Sequence, residues 1–205
     1  MSATTLPRPP KAGESGPAFL PPMTREEYRE FDRGAHELRY EWIDGEVRAV
    51  SGGTFNHGQV AANLARLLGN LFSGRALVTH SQSTRTRVPD GPYYYPDVVT
   101  VPFPPEFAEE SEETFAAPVL VAEVLSPSTA RIDRGEKRRE YFRIPSLENY
   151  LIVQPNVREI LRLTRDGEQW AERRFRAEDV DLPRFGVTLP ADAIYEDCLP
   201  GERIG

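Results

Sequence analysis

The chain has 205 residues, of which 39% are apolar and 28% are charged, and its formal net charge is −7. A domain of this length buries about 70% of the surface of its extended chain, so a core can form without disulfides or a structural metal. The negative charge argues against a broadly basic nucleic-acid coat and against an anionic membrane surface. The single cysteine, Cys198, excludes a disulfide framework and a cysteine zinc site.

Residues 1–22 are predicted to be a disordered, proline-rich leader, because they hold six of the 19 prolines and few apolar residues. They lack the hydrophobic segment of a secretory signal, and no stretch of the chain approaches about 18 apolar residues. We therefore expect a cytoplasmic protein with no membrane contact. Residues 23–205 are predicted to form one domain.

The predicted elements alternate between helices and strands. In chain order they are a helix from Thr24 to Arg33, a hairpin of strands 39–43 and 46–50, a helix from its cap Asn56 to Phe72, strands 76–79, 83–88 and 98–101, an acidic loop 102–117, strand 119–124, a helix 133–143, strand 150–153, a hairpin 159–175 and a weakly structured remainder. This order is typical of an α/β domain with a mixed β-sheet flanked by helices.

Two carboxylates stand out in the predicted strands. Asp97 opens one strand, and Glu123 lies near the end of an almost unbroken apolar strand, where an unpaired buried charge would be costly. If these strands are neighbours, the two carboxylates converge at one sheet edge, and such a pair suits Mg²⁺. The alternative is an ion pair between these acids and some of the many arginines.

Lysine usage singles out Lys137. The chain has 23 arginines and only two lysines, and the other lysine, Lys11, falls in the predicted leader. A lysine is a compact, movable point charge, which a site that handles a water and a phosphoryl oxygen can prefer to the planar guanidinium of arginine. Tyr141, four residues further on, lies on the same helical face. The alternative is a solvated, highly charged helix in which one lysine is a matter of chance.

Two further polar residues have open roles. His57 is placed at the start of the long helix, where the helix dipole favours a neutral ring that could bind a metal or accept a proton. A surface or packing histidine is the alternative. Glu41 lies in a strand and points either into the same cleft or to solvent.

Several segments together carry a resemblance to a known family. They are 40–47 (YEWIDGEV), 56–58 (NHG), 95–99 (YPDVV), 121–129 (VAEVLSPST), 133–137 (DRGEK) with Tyr141, and 150–153 (YLIV). In this order the segments resemble the Uma family of restriction endonucleases, a branch of the PD-(D/E)XK nuclease superfamily. The resemblance covers residues 24–165.

The resemblance implies a restriction-endonuclease-like fold. It also implies a metal-dependent endonuclease that hydrolyses phosphodiester bonds of nucleic acid, with DNA as the expected substrate. It implies Mg²⁺, with Mn²⁺ as a substitute, held by Asp97, Glu123 and the Val124 carbonyl. The superfamily's lysine, expected two residues after the second acid, is Leu125 here, and Lys137 takes its role of orienting or deprotonating the water. His57, Glu41 and Tyr141 correspond to further polar positions around the cleft.

Two other interpretations remain open at this stage. One is a nuclease fold that binds nucleic acid or a protein without cutting. The other is a structural role in a homo-oligomer such as a homodimer, which does not exclude an active enzyme. The presence of Asp97, Glu123 and Lys137 together favours the enzyme.

Overall fold

The structure is a computed structural model that describes residues 20–35, 38–50, 53–81, 84–109, 111–126 and 129–200. Within them the helices are α1 (Arg25–Gly34), α2 (Phe55–Leu71), α3 (the consecutive turns Ala130–Ile132, Asp133–Lys137 and Arg138–Tyr141) and α4 (Ala191–Ile194). The strands are β1 (Tyr40–Ile43), β2 (Glu46–Ala49), β3 (Leu77–Ser81), β4 (Arg85–Arg87), β5 (Tyr93–Tyr94), β6 (Val98–Pro102), β7 (Phe107–Glu109), β8 (Ser111–Phe115), β9 (Leu120–Val124), β10 (Asn149–Val153), β11 (Glu159–Asp166), β12 (Gln169–Arg176), β13 (Val180–Leu182) and β14 (Val187–Leu189).

The central sheet has the strand order β12-β11-β10-β9-β6-β3. Only the β9–β10 pair in it is parallel, and the other pairs are antiparallel. A second sheet of the described residues has the order β2-β1-β5-β4-β8-β7, and β13 pairs with β14. This arrangement confirms the predicted α/β class with a mixed sheet flanked by helices.

The central sheet is covered on both faces, as the apolar sequence of β9 predicts. Successive residues of a strand point to opposite faces. On one face, Leu120, Ala122 and Val124 pack with α2 and the C-terminal elements. On the other face, Val121 packs in a second cluster, which includes Tyr141 from α3 and residues of the second sheet. Glu123 therefore faces α3.

The helix α3 is irregular at the position of Lys137. Its middle turn, Asp133–Lys137, has π-helical hydrogen bonding, with α-helical turns before and after it. Such π-helical insertions are rare and occur frequently at functional sites, because they re-aim side chains relative to a regular helix. Here both ends of the turn, Asp133 and Lys137, are buried. The helix covers 130–141 rather than the predicted 133–143.

Three local predictions are wrong. Thr54, not Asn56, caps α2, because the Thr54 hydroxyl accepts from the His57 amide at 3.3 Å, while the Asn56 amide group donates to the Leu199 carbonyl at 3.1 Å. The acidic loop contains the β7–β8 hairpin, anchored in the core by the buried Phe115. The C-terminal remainder forms β13, β14 and α4, whose apolar residues are buried against α2.

Most of the predicted leader, residues 1–19, lies outside the described residues. Leu20, inside the predicted leader, is buried, and its amide donates to the Val47 carbonyl at 3.4 Å. Packing against the domain therefore begins before residue 23. In the described part of the chain, no helix has the length and apolar character needed to cross a membrane.

Candidate active site

The structure brings Asp97 and Glu123 together. The β6–β9 pairing sets Val98 opposite Ala122, which places the residue before β6 beside Glu123. The Asp97 amide donates to Oε2 of Glu123 at 3.4 Å, and the Val124 amide donates to Oδ2 of Asp97 at 2.8 Å. Both carboxylates are buried, so the predicted convergence at one sheet edge is observed.

Lys137 reaches the same cluster from α3. Its Nζ lies 2.9 Å from Oε1 of Glu41, 3.2 Å from Oε1 of Glu123 and 3.6 Å from Oδ1 of Asp133. The side chain is only 7% exposed. The ring centroid of Tyr94 lies 5.2 Å from Nζ, so an aromatic face completes the enclosure. The solvated-helix alternative for Lys137 is therefore wrong.

The surrounding charges determine the protonation of Lys137. Burial by itself would lower the pKa of Lys137, but the negative charges of Glu123, Glu41 and Asp133 together raise it well above its usual value. A lysine in this environment holds its proton and donates to the carboxylates around it. The arrangement therefore favours a fixed cation, and it gives no support to the proton-accepting role that was one of the two predicted for Lys137.

Glu123 is held on its two oxygens in different ways. Oε1 accepts from Lys137 and from the Tyr141 hydroxyl at 2.9 Å, whereas Oε2 faces Asp97. Burial raises the pKa of Glu123 well above its usual range, Lys137 opposes this shift, and the neighbouring charges of Asp133 and Asp97 add to it. The cluster is thus rich in negative charge and is stabilised only in part by its one lysine.

Asp133 belongs to the cluster, although sequence reasoning gave it no role. It is 1% exposed, and its Oδ1 makes no hydrogen bond among the described residues. Burial raises the pKa of Asp133, and Lys137 opposes the shift. The signal that could have identified it is its spacing, four residues before the lysine on the same helix.

Glu41 points into the cleft rather than to solvent. Its Oε1 accepts from the Tyr95 amide at 3.1 Å in addition to its contact with Lys137. Strand β1 thus supplies a second carboxylate that holds the lysine in addition to Glu123. Of the two alternatives left open for Glu41, the cleft is the correct one.

His57 contacts the Asp97 carboxylate. Its Nε2 is 3.3 Å from Oδ2 of Asp97. The hydrogen bond to Asp97 raises the pKa of His57, partial burial opposes this, and the Asp97 charge and a hydrogen bond to the Val124 backbone reinforce it. The adjacent carboxylate thus favours the protonated form and acts against the helix dipole, which favours the neutral ring.

The donor set suits a hard divalent cation. Mg²⁺ is typically bound by one or two carboxylates together with waters and substrate oxygens. Asp97 and Oε2 of Glu123 are adjacent carboxylates whose mutual repulsion a cation would relieve. In the described part of the chain, no group of three or more His, Cys, Asp and Glu residues is placed to hold a metal. A site here would therefore depend on the two carboxylates and the Val124 carbonyl, completed by water.

The structure thus combines a mixed sheet with two adjacent buried carboxylates and a buried lysine beside them. The Uma2 family, described as "Putative restriction endonuclease", matches residues 25–192 of the chain. The chain belongs to this family, which places it among nuclease-like proteins.

Two proteins and one solved structure are also similar to this chain. The Synechocystis protein slr1290, described as uncharacterized, is 33% identical over 87% of this chain and 94% of its own length. A second uncharacterized Synechocystis protein, sll1609, is 30% identical over 78% of this chain and 91% of its own length. The fold is similar to the crystal structure of a "putative nuclease belonging to DUF820" from Anabaena variabilis, with a TM-score of 0.71, 16% identity and coverage of 87% of this chain and 100% of that one.

Proposed function

We propose that the protein is a metal-dependent endonuclease that hydrolyses phosphodiester bonds of DNA, with Mg²⁺ as the natural ion and Mn²⁺ as a substitute. The observation that carries the proposal is the buried pair of Asp97 and Glu123 with Lys137 at 3.2 Å from Glu123. Membership of the Uma2 family supports a nuclease, and the residues that converge are those that the proposed chemistry needs.

The two carboxylate oxygens of Glu123 have different roles in this proposal. Oε1 is occupied by Lys137 and Tyr141, so Oε2 remains directed toward Asp97. We assign Asp97, Oε2 of Glu123 and the Val124 carbonyl as the metal ligands. When bound there, Mg²⁺ would polarise the scissile phosphate and lower the pKa of a bound water.

The remaining residues position charges around the reacting phosphate. Lys137, fixed by Glu41 and Asp133, supplies a positive charge that offsets the negative charge of the transition state. Tyr141 keeps the Glu123 carboxylate in one orientation. His57 donates to Asp97 and orients that carboxylate. Water then adds to phosphorus and one P–O ester bond breaks, leaving a phosphate monoester on one product and a hydroxyl on the other.

The proposal is tested by cleavage of supercoiled plasmid and of single-stranded DNA with Mg²⁺, with Mn²⁺ or with EDTA. We expect cleavage with either ion and none with EDTA. Asp97→Asn should lower the cleavage rate by about 10²-fold or more, because it removes a negatively charged ligand of the proposed metal ion. Asp166→Asn, which removes an exposed carboxylate from the end of β11, is the matched control and should behave like the wild type.

Two results would contradict the proposal. One is metal-dependent cleavage that is unchanged in Asp97→Asn. The other is the absence of metal-dependent cleavage on every nucleic acid tested, which would leave a binding module on a nuclease fold as the function.

A further inference from the structure

A cavity of about 320 Å³ lies between α3 and strands β10 to β12. Leu125, Ile152 and Leu161 form its apolar floor. Ile152 lies directly across from Glu123 in the β9–β10 register, and Leu125 follows Glu123 by two positions on the same face of the sheet. Neighbouring strands are about 4.8 Å apart, and two residues along a strand span about 6.6 Å. The backbones of Ile152 and Leu125 therefore lie at about these distances from the backbone of Glu123.

The walls of the cavity carry charges that cancel. Arg138 pairs with Glu172 at 3.1 Å, and Arg174 pairs with Glu159. Both pairs line the cavity, so they add no net charge to it, and Glu159 is also paired with Arg176 at 3.2 Å. Their guanidinium planes remain suited to stacking on a flat ring, which needs no net charge. The depth of the cavity therefore fits an uncharged, planar group better than a phosphate.

The cavity's remaining cation is Arg134, four residues before Arg138 on α3. It is exposed, and among the described residues it has no hydrogen-bond or ion-pair partner. Gln154 also lines the cavity and offers an amide, which can both donate and accept hydrogen bonds. An apolar floor, stacking walls, one amide and one free cation together match a nucleotide, with its base inside and its phosphate at Arg134.

We infer that this cavity binds the base of an unpaired nucleotide next to the scissile phosphate, with Arg134 on the adjoining phosphate. The inference rests on the proposed nuclease function, because it places the nucleotide beside Glu123. A base stacked in a duplex cannot enter a cavity of this kind without leaving the stack, which costs a few kcal/mol and costs least for a base that is already single-stranded. The preferred substrate is therefore single-stranded or locally unpaired nucleic acid.

The test measures binding separately from cleavage. A fluorescently labelled single-stranded oligodeoxynucleotide is titrated with the wild-type protein in EDTA, and the binding is compared with that of the duplex of the same sequence. We expect the single strand to bind about tenfold more tightly or better. Leu161→Trp, which fills the cavity from its floor, should weaken binding about tenfold, because base stacking contributes about 1–3 kcal/mol per base.

Arg134→Ala tests the phosphate contact at an exposed position where the substitution is compatible with folding. It should weaken binding about fivefold and reduce the slope of log affinity against log salt by about 0.7, as expected for the loss of one contact to a single strand. Arg139→Ala removes the same charge from an exposed position on α3 that does not line the cavity. This control should leave the affinity and the salt slope unchanged.

The outcomes separate the cavity from the catalytic proposal. Equal losses in Arg134→Ala and Arg139→Ala, or equal affinity for single strand and duplex, would overturn the base cavity even if the protein cleaves DNA with Mg²⁺. Single-strand binding that depends on Arg134 but is followed by no metal-dependent cleavage would support the cavity and overturn the endonuclease. If Leu161→Trp does not fold, the Arg134 and Arg139 comparison decides the question.

Discussion

Replacing Lys137 with methionine is expected to lower the rate of metal-dependent cleavage by about 10²–10³-fold, the usual cost of removing one preorganised charge from an active site. Methionine keeps the unbranched shape of the side chain, is one atom shorter and removes the cation. The carboxylates of Glu41, Glu123 and Asp133, all buried, then lose the charge that opposes their repulsion. The measurement is the single-turnover cleavage rate, determined together with the free energy of unfolding.

The same substitution acts on stability, and the two effects must be separated. Removing one partner of a buried ion pair lowers the free energy of unfolding by about 3–5 kcal/mol. The loss is smaller if the remaining carboxylates take up protons and so become neutral. The double variant Lys137→Met, Glu41→Gln removes one of the repelling acids and is expected to recover stability but not cleavage. Lys137→Arg is expected to remain inactive, because a planar guanidinium does not fit the space of an ammonium between three carboxylates. Wild-type cleavage in a folded Lys137→Met protein would exclude Lys137 from the mechanism.

The second large effect concerns Mg²⁺ and stability. We expect saturating Mg²⁺ to raise the melting temperature by about 5–10 °C, because a ligand at one hundred times its Kd stabilises the folded state by about 2.7 kcal/mol and each kcal/mol shifts Tm by about 2–4 °C in a domain of this size. The physical cause is the repulsion between Asp97 and Glu123, which a bound cation relieves. Thermal unfolding with and without the ion measures the shift.

Asp97→Asn should remove this stabilisation almost completely, while Asp166→Asn should retain it. An equal rise in melting temperature in wild type and Asp97→Asn would show that the ion binds elsewhere on an acidic surface. The result does not depend on any substrate, so it tests the metal site even if the natural nucleic acid differs from those assayed.

The fold was largely predictable because its strongest local signals agree with its tertiary structure. The apolar run of β9 predicts a strand covered on both faces, and the periodic leucines of α2 predict the helix that covers one of them. The Asp44-Gly45 dipeptide predicts the turn between β1 and β2, where both residues adopt positive φ. These signals are local, and burial reinforces each of them.

Other features could not be read from local patterns. The π-helical turn of α3 changes which side chains face the sheet, and no sequence period predicts it. The β7–β8 hairpin is rich in acidic residues and is held by a buried phenylalanine and by pairing with β4, which are tertiary contacts. The raised pKa of His57 follows from Asp97, a residue 40 positions away that only the fold brings near.

For the candidate site too, some residues could be identified from the sequence and others only from the fold. Asp97, Glu123 and Lys137 were identifiable because each is unusual in its place: a charge at the start of a strand, a charge within an apolar strand and a rare lysine. The resemblance placed Glu41 around the cleft without a defined role, and Asp133 received none, because an acid on a strand or helix is unremarkable until its neighbours are known. The raised pKa of the buried Lys137 depends on the acids around it, which only the fold brings together.

The metal site between Asp97 and Glu123 can be tested by the anomalous scattering of Mn²⁺ in crystals of the wild-type protein. The account predicts a peak between the Asp97 and Glu123 carboxylates, with oxygens of both at about 2.0–2.2 Å, close to the distances that Mg²⁺ adopts. The Val124 carbonyl should complete the protein ligands, and the peak should disappear in Asp97→Asn. A peak at other carboxylates with none between Asp97 and Glu123, at saturating Mn²⁺, would contradict the account.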